Sequence, residues 1–231
     1  MARQIPVCLE VGEKRVFAGA LDWPGWSRSG RDRDGALQAL ADYGNRYKAV
    51  VGRRKAGRGF TPPEDPSAFQ VEEEVKGNAT TDFGAPGLPP AADDRPLTDA
   101  EARRQIALLE AAWRALDRAA EAAVGVELRK GPRGGGRDLD AIVRHVADAD
   151  TGYLAQIGDR FTLREGDPLT RAIVEDLHGT IVEALWARIR GDPPRKPRRT
   201  GKYWTPRYFI RRSAWHALDH TWEIEDRAGP A

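Results

Sequence analysis

The chain has 231 residues, of which 40% are hydrophobic and 31% are charged, and its formal net charge is +2. This composition is ordinary for a soluble protein, and no apolar run approaches the length of a membrane span, so we expect no transmembrane helix. A net charge so close to neutral gives no argument for nucleic-acid binding by the whole chain. The N-terminus MARQIPVCLEVGEK lacks the apolar core of a signal peptide, so we expect a cytoplasmic protein.

The first part of the sequence predicts a small α+β unit. Two short segments rich in Val, Leu and Phe, 6–11 and 15–21, are joined through residues 12–14, which indicates a β-hairpin. Residues 32–51 carry apolar side chains at helical spacing, and an apolar pattern at 69–75 marks a further strand. The predicted order is β-β-α-β.

Cys8, Trp23 and Trp26 are the residues of this unit that could have a chemical role. A single cysteine excludes an intramolecular disulfide, and no histidine lies near Cys8 in sequence to activate it. We therefore expect a buried structural thiol. The two tryptophans flank the turn Pro24-Gly25 and could stack on a ligand or partner, but packing around the turn is the favoured interpretation.

Glycine and proline clusters, including GAPGLPP, fill residues 78–95 and predict a linker between two domains. The sequence thus divides into an α+β domain at 1–77, the linker, and a helical domain at 96–231. The overall fold class is α+β.

Four helices are predicted in the second domain. A capping-box pattern at 98–101 begins a helix that ends near residue 123. A glycine-rich turn at 131–136 precedes Asp138, which we expect to cap the second helix. Asp167 and Pro168 are expected to begin a third helix that extends to residue 189, with the proline at its first position. The fourth helix is predicted at about 206–227.

A basic segment with interleaved aromatic residues, GDPPRKPRRTGKYWTPRYFIRR at 191–212, leads into the last helix. Such a segment is compatible with nucleic-acid binding through residues such as Arg195, Arg198 and Arg199. The favoured interpretation is a solvated connection stiffened by proline. Because the segment enters directly before the last helix, its C-terminal residue Arg212 could steer an anionic substrate toward that helix.

Three of the four histidines predict a metal site. His216 and His220 are one turn apart on the last helix, and His145 lies on the second helix of this domain. Three neutral imidazoles leave a coordination position open for water or substrate, which is typical of a catalytic zinc site. The alternative is that the pair lies on the surface or is partly buried without a ligand. His178 has no paired spacing, which favours a core or boundary histidine over a fourth ligand.

The segments HVADADTGY, which begins at His145, and RRSAWHALDHTWEIEDR at 211–227 resemble the second and last core helices of the DinB-like superfamily. The resemblance covers residues 96–228. It implies an antiparallel four-helix bundle in which His145, His216 and His220 bind a divalent cation, most often zinc and otherwise nickel. The superfamily includes metal-dependent hydrolases and thiol-dependent transferases or isomerases, and the fold alone does not select one reaction.

The stretch LDWPGWSRSGRDRDGALQALADY resembles the N-terminal region of HicB-like proteins, in which a strand ends at a Pro-Gly turn and leads into a helix rich in Ala and Leu. The resemblance covers residues 5–50 and implies a fold without an activity. HicB antitoxins neutralise an RNA-cleaving toxin and need an additional module to bind DNA, which the C-terminal part does not resemble.

Four further residues are candidates for roles beside the metal. Glu223 or Asp148 could orient a ligand imidazole or act as a general base, and Arg212 or Arg227 could hold a carboxylate.

The leading hypothesis is a DinB-like metal-dependent hydrolase or low-molecular-weight-thiol transferase or isomerase, whose small-molecule substrate is an anion or a thiol. The alternative is a non-enzymatic binding or regulatory protein, in which the HicB-like part binds a protein or nucleic acid and the bundle is a scaffold. A metal-responsive binding protein without turnover would share the histidine site. A homo-oligomer is compatible with all three.

Overall fold

The structure is a computed structural model that describes residues 4–52, 55–130, 136–164, 166–197 and 201–229. Over these residues the fold is mixed α+β, as predicted. A four-stranded sheet lies at the N-terminus, and most of the seven α-helices follow it.

The sheet has the strand order β3-β2-β1-β4. Strands β1 (Ile5–Val11) and β2 (Val16–Ala20) form the predicted antiparallel hairpin, and β4 (Phe69–Lys76) pairs with β1 in parallel. Strand β3 (Ser27–Gly30), which pairs with β2, is absent from the predicted order β-β-α-β. Its sequence SRSG has no apolar or β-branched residue, so it gave no strand signal.

The predicted helix at 32–51 is two helices, α1 (Arg33–Asp42) and α2 (Gly44–Val51). Asp32 caps α1 by accepting a hydrogen bond from the Gly35 amide. The chain bends at Tyr43, and Gly44 then passes so close to a pair of prolines that an added Cβ would lie 3.1 Å from Pro63. The bend places α1 against β2 and β3 and places α2 against the helical part of the chain.

Trp26 and Cys8 are structural, as predicted. Trp26 is 1% exposed, its indole N–H donates to the Leu40 carbonyl, and its ring stacks on Tyr47 at 5.7 Å. Burial raises the pKa of Cys8 to about 12, so the thiol keeps its proton at neutral pH.

The segment at 78–95, predicted as a linker, folds against the sheet. It contains the short helix α3 (Ala79–Phe83), capped by Asn78, and a 3₁₀ turn (Ala91–Asp94). The buried carboxylate of Glu10 on β1 accepts hydrogen bonds from the Thr81 hydroxyl and from the amides of Gly87 and Leu88. A spacer would have no such anchors. The division into domains at 1–77 and 96–231 remains an interpretation of the sequence.

Four long helices make up most of the remaining chain: α4 (Asp99–Ala122), α5 (Leu139–Gln156), α6 (Arg171–Ile189) and α7 (Pro206–Ala228). Each of the four contacts the other three. The predicted capping box of Thr98 and Glu101 and the cap at Asp138 are confirmed. Of the predicted glycine-rich turn at 131–136, all but the last residue lie outside the described residues.

The predicted start of the third long helix was wrong. Helix α6 begins at Arg171, not at Pro168, because the hydroxyl of Thr170 accepts a hydrogen bond from the Ile173 amide and so caps the helix three residues later. Pro168 instead lies in the preceding turn, where its carbonyl accepts from the Thr170 amide.

Helix α7 is buried by the sheet on one side and by other helices on the opposite side. The ring of Trp215 packs edge-on against Phe17 of β2 at 6.0 Å. Gly25, at φ +90°, allows the turn before β3 to approach α7 so closely that an added Cβ would lie 2.9 Å from Leu218. The Arg211 guanidinium donates to the carbonyls at the end of β2 and pairs with the buried Asp93. A single hydrophobic core therefore includes the sheet and the helices.

Among the helices that the structure describes, none combines the length and the apolar character needed to cross a bilayer.

We expect Glu10→Gln to lower the free energy of unfolding by about 1–3 kcal/mol, because the amide places a donor against a backbone N–H and leaves it unpaired. Urea denaturation of the full chain measures the difference. Glu72→Gln is the control, since Glu72 is exposed on the neighbouring strand β4, and its effect should stay within about 0.5 kcal/mol. Equal effects of the two substitutions would show that the Glu10 contacts do not hold segment 78–95 in place.

Candidate metal centre

Helices α5 and α7 bring the three predicted histidines together. His145 lies on α5, and His216 and His220 lie one turn apart on α7. One ring nitrogen from each histidine lies within 4.8 Å of the other two, and the three ring centres are 4.8 to 5.1 Å apart. Over the described residues, this is the one group of three or more potential ligands with such geometry.

The spacing of the ring nitrogens fits a zinc-like ion. Zinc–nitrogen bonds of about 2.0–2.1 Å in tetrahedral geometry place two ligand nitrogens about 3.3–3.4 Å apart. The Nε2 atoms of His145 and His216 are 3.3 Å apart. A hydrogen bond between the two rings would also suit this distance. A hydrogen bond between His145 and His216 would not explain why the His220 ring lies beside both of them. A metal ion bound by all three rings would explain it.

Burial keeps at least two of the imidazoles neutral, as metal ligands must be. It lowers the pKa of His216 to about 2, and the nearby charges of His220 and Arg212 act in the same direction. Burial also lowers the pKa of His145, with a further contribution from the positive charge of Arg137. Protons therefore do not compete for these two rings at neutral pH. The buried Nδ1 of His216 has no hydrogen-bond partner among the described residues.

Glu223 lies where the sequence analysis placed an orienting carboxylate. Its Oε2 is 2.6 Å from Nδ1 of His220, and its Oε1 accepts a hydrogen bond of 2.7 Å from Arg227. The hydrogen bond with His220 lowers the pKa of Glu223, so the group is a carboxylate at neutral pH. A proton on Nδ1 of His220 leaves Nε2 free to bind an ion.

Arg212 is half-buried beside His216 and forms part of the wall of the site. Its guanidinium carbon lies 4.7 Å from the centre of the Trp215 ring and 5.5 Å from that of Tyr153, and it donates a hydrogen bond to the Pro86 carbonyl. Arg227, the other arginine considered for a carboxylate, bonds to Glu223 and to the Arg129 carbonyl.

Asp148 lies apart from the imidazoles, on the exposed side of α5. Its carboxylate pairs with Arg144 at 3.0 Å, and Arg144 also donates to two carbonyls of the chain between α5 and α6. Only the charge of Asp148 reaches the cluster, where it raises the pKa of His145 against the larger effect of burial.

Sequence reasoning missed a buried polar network next to the cluster. It has one residue from each long helix: Trp113, Asp150, His178 and Ser213. The Asp150 carboxyl is 0% exposed and accepts hydrogen bonds of 3.0 Å from Trp113 and 2.7 Å from Ser213. Asp150 lies four residues after Val146 and four before Leu154, so its place in an apolar stripe was the available signal.

His178 belongs to this network and not to the metal cluster, which confirms its interpretation as a core or boundary histidine. Its ring stacks on Trp113 with centres 3.8 Å apart, and its Nε2 is 3.9 Å from Asp150. Burial lowers the pKa of His178 to about 4 and raises that of Asp150 to about 7, so both groups are neutral between these values. This contact is therefore not an ion pair in that range.

The basic segment before α7 is partly neutralised by internal partners. Arg207 pairs with Glu101 and donates to carbonyls before α4, and Arg195 lies 3.4 Å from Asp159. Arg198 and Arg199, two of the three arginines considered for nucleic-acid binding, lie outside the described residues.

Comparison with protein-family models, with curated proteins and with solved structures gave no match. The function is therefore inferred from the chemistry of the site.

We expect Asp150→Asn to stabilise the protein increasingly as pH rises from 4 to 8. Burial raises the pKa of Asp150 from 3.8 to about 7, so the folded state keeps a proton that the unfolded state has lost, and wild-type stability falls between these values. The difference between variant and wild type should grow by an amount on the order of 4 kcal/mol, at about 1.4 kcal/mol per pKa unit. Chemical denaturation at several pH values measures it.

The asparagine amide suits the site, since its oxygen can accept from Trp113 and its nitrogen can donate to the Ser213 hydroxyl. His178 acts in the opposite direction between pH 4 and 6.5, but it is present in both proteins and so cancels in the difference. Asp148→Asn is the control, since that carboxylate is exposed on the same helix. A stability difference for Asp150→Asn that does not change with pH would contradict the raised pKa.

Proposed function

We propose that this chain is a metal-dependent enzyme of the DinB-like type, either a hydrolase or a low-molecular-weight-thiol transferase or isomerase. The cluster of His145, His216 and His220 carries the proposal. Zinc is the ion that best suits three imidazole ligands, and nickel is the alternative. The mutual contacts of the four long helices are compatible with the antiparallel four-helix bundle that the resemblance implies.

The three histidines would supply an ion with neutral ligands on two helices and leave a position open. Such an ion, when bound, lowers the pKa of a water molecule toward 7 or stabilises the thiolate of a second substrate. The neutrality of His145 and His216 results from burial, so ion binding does not first require the loss of protons from them at neutral pH.

In this proposal Glu223 is a positioning residue. Its Oε2 is bonded to His220 and its Oε1 to Arg227, which holds the carboxylate in one orientation against the imidazole. A carboxylate that holds the Nδ1 proton of a ligand histidine fixes the tautomer and the orientation of the ring. Asp148 pairs with Arg144 instead, and its described contacts include no imidazole.

We expect untagged wild-type protein to hold close to one equivalent of zinc or nickel, and the His145→Ala/His216→Ala double variant to hold none. Elemental mass spectrometry measures both. His178→Gln is the matched control, because it changes a half-buried histidine that lies outside the cluster and should leave the metal content unchanged.

A wild-type protein that takes up no metal after incubation with zinc and nickel would refute the enzyme proposal and favour the non-enzymatic alternative. Full occupancy in the double variant would place the ion elsewhere. Stoichiometric metal would justify a screen of thiol-transfer and hydrolysis reactions.

We expect Glu223→Gln to weaken metal affinity about 10- to 100-fold, because the ligand His220 loses its carboxylate partner. Competition with a chromogenic chelator measures the affinity. Glu225→Gln is the control, since Glu225 is on the same helix but pairs with Arg46 at the surface. Unchanged affinity in Glu223→Gln would show that His220 is either not a ligand or is not oriented by this carboxylate.

A further inference from the structure

Arg212 differs from the other arginines of α7 in its partners. Arg207 pairs with Glu101, Arg211 with Asp93, and Arg227 with Glu223, at 2.7 to 2.9 Å. Arg212 is half-buried as well, but among the described residues no carboxylate pairs with it, and its hydrogen bond goes to the Pro86 carbonyl. A partly desolvated guanidinium without a counter-ion is a favourable place for an incoming anion.

Two aromatic rings hold this guanidinium beside the histidine cluster. Trp215 lies under it, and Tyr153 of α5 lies on another side, with its ring centre 6.0 Å from that of His216. A guanidinium held against ring faces can still bind a carboxylate or phosphate in its plane, through the nitrogens other than the one bonded to Pro86. The Tyr153 phenol keeps its proton at neutral pH and can donate a hydrogen bond to the same anion.

The charges around the cluster also favour an anion. Arg212 and Arg137 are close enough to lower the pKa of His216. Glu223 is the one carboxylate bonded to the cluster in the described structure, and Arg227 neutralises it. The charge of Asp148 also reaches His145, but Arg144 pairs with that carboxylate. Both nearby carboxylates thus have an arginine partner, and a bound divalent ion would add positive charge.

We propose that Arg212 and Tyr153 form an anion subsite beside the histidine cluster, which takes a carboxylate or phosphate group of the substrate. The inference rests on the proposed function insofar as the reacting part of that substrate would lie at the metal. Arg212 would bind the anion through guanidinium nitrogens other than the one bonded to Pro86, Tyr153 would donate to the anion, and the Trp215 ring would hold the guanidinium in place.

Inorganic phosphate and acetate are suitable probes, and isothermal titration calorimetry of the full chain at low ionic strength measures their affinities with and without zinc. We expect Arg212→Gln to weaken the affinity for the preferred anion about 10- to 100-fold, the range of a charge-assisted hydrogen bond. Tyr153→Phe should weaken it about 2- to 10-fold, the range of a neutral hydrogen bond. Arg144→Gln on α5 is the control, because Arg144 already pairs with Asp148, and it should have no effect.

The results separate this inference from the proposed function. Anion binding that is lost in Arg212→Gln, in a protein that takes up no metal, would support the subsite and refute the metal enzyme. Zinc binding with equal anion affinity in wild type, Arg212→Gln and Tyr153→Phe would overturn the subsite and leave the metal centre intact. If Arg212→Gln does not fold, the affinities of Arg212→Lys and Tyr153→Phe for the anion test the inference instead. Wild-type affinity in both variants would overturn it.

Discussion

The hydrogen bond between Ser213 of α7 and the fully buried carboxyl of Asp150 on α5 constrains the register of these two helices. His145 precedes Asp150 on α5, and its partner His216 follows Ser213 on α7, so the helices run antiparallel and both contacts need the same register. A slip of one helical turn moves a side chain by about 5.4 Å. The His145 and His216 nitrogens are 3.3 Å apart, so the cluster would not survive such a slip. Because a buried carboxyl without its partners is costly, the network opposes the slip.

Burial has opposite consequences for the histidine cluster and for the Asp150 network. Burial makes the imidazoles of His145 and His216 good ligands, since it removes the proton that would compete with a cation. The same effect makes Asp150 a cost to the fold, which grows as pH rises from about 4 to about 7 because the folded state must hold a proton that the unfolded state has lost. One environment between α5 and α7 therefore favours metal binding and reduces stability.

The sequence correctly predicted features that depend on a few residues close together in the chain. The spacing of His216 and His220 on one helix, the capping box at Thr98 and the hairpin of β1 and β2 each depend on a few neighbouring residues.

The sequence did not predict features that depend on tertiary contacts. Strand β3 forms because β2 offers it hydrogen-bonding partners, although SRSG has little strand propensity. The segment at 78–95 resembles a linker in composition, but Glu10, on a strand about seventy residues earlier, supplies its anchor. The positions of Arg212 and Asp148 relative to the histidines likewise depended on partners that helical spacing does not reveal.

The double-sided burial of α7 limits how this site could be reused in protein design. Grafting α5 and α7 onto another bundle would transfer all three histidines, but it would leave Trp215 without Phe17 and Arg211 without Asp93. The transplanted helix would then present a large apolar ring and an unneutralised arginine to solvent. A scaffold that received this centre would also have to provide a surface shaped like the sheet. A transferable unit would therefore include strand β2 and the segment at 78–95, and also helices α4 and α6, which supply Trp113 and His178 beside Asp150.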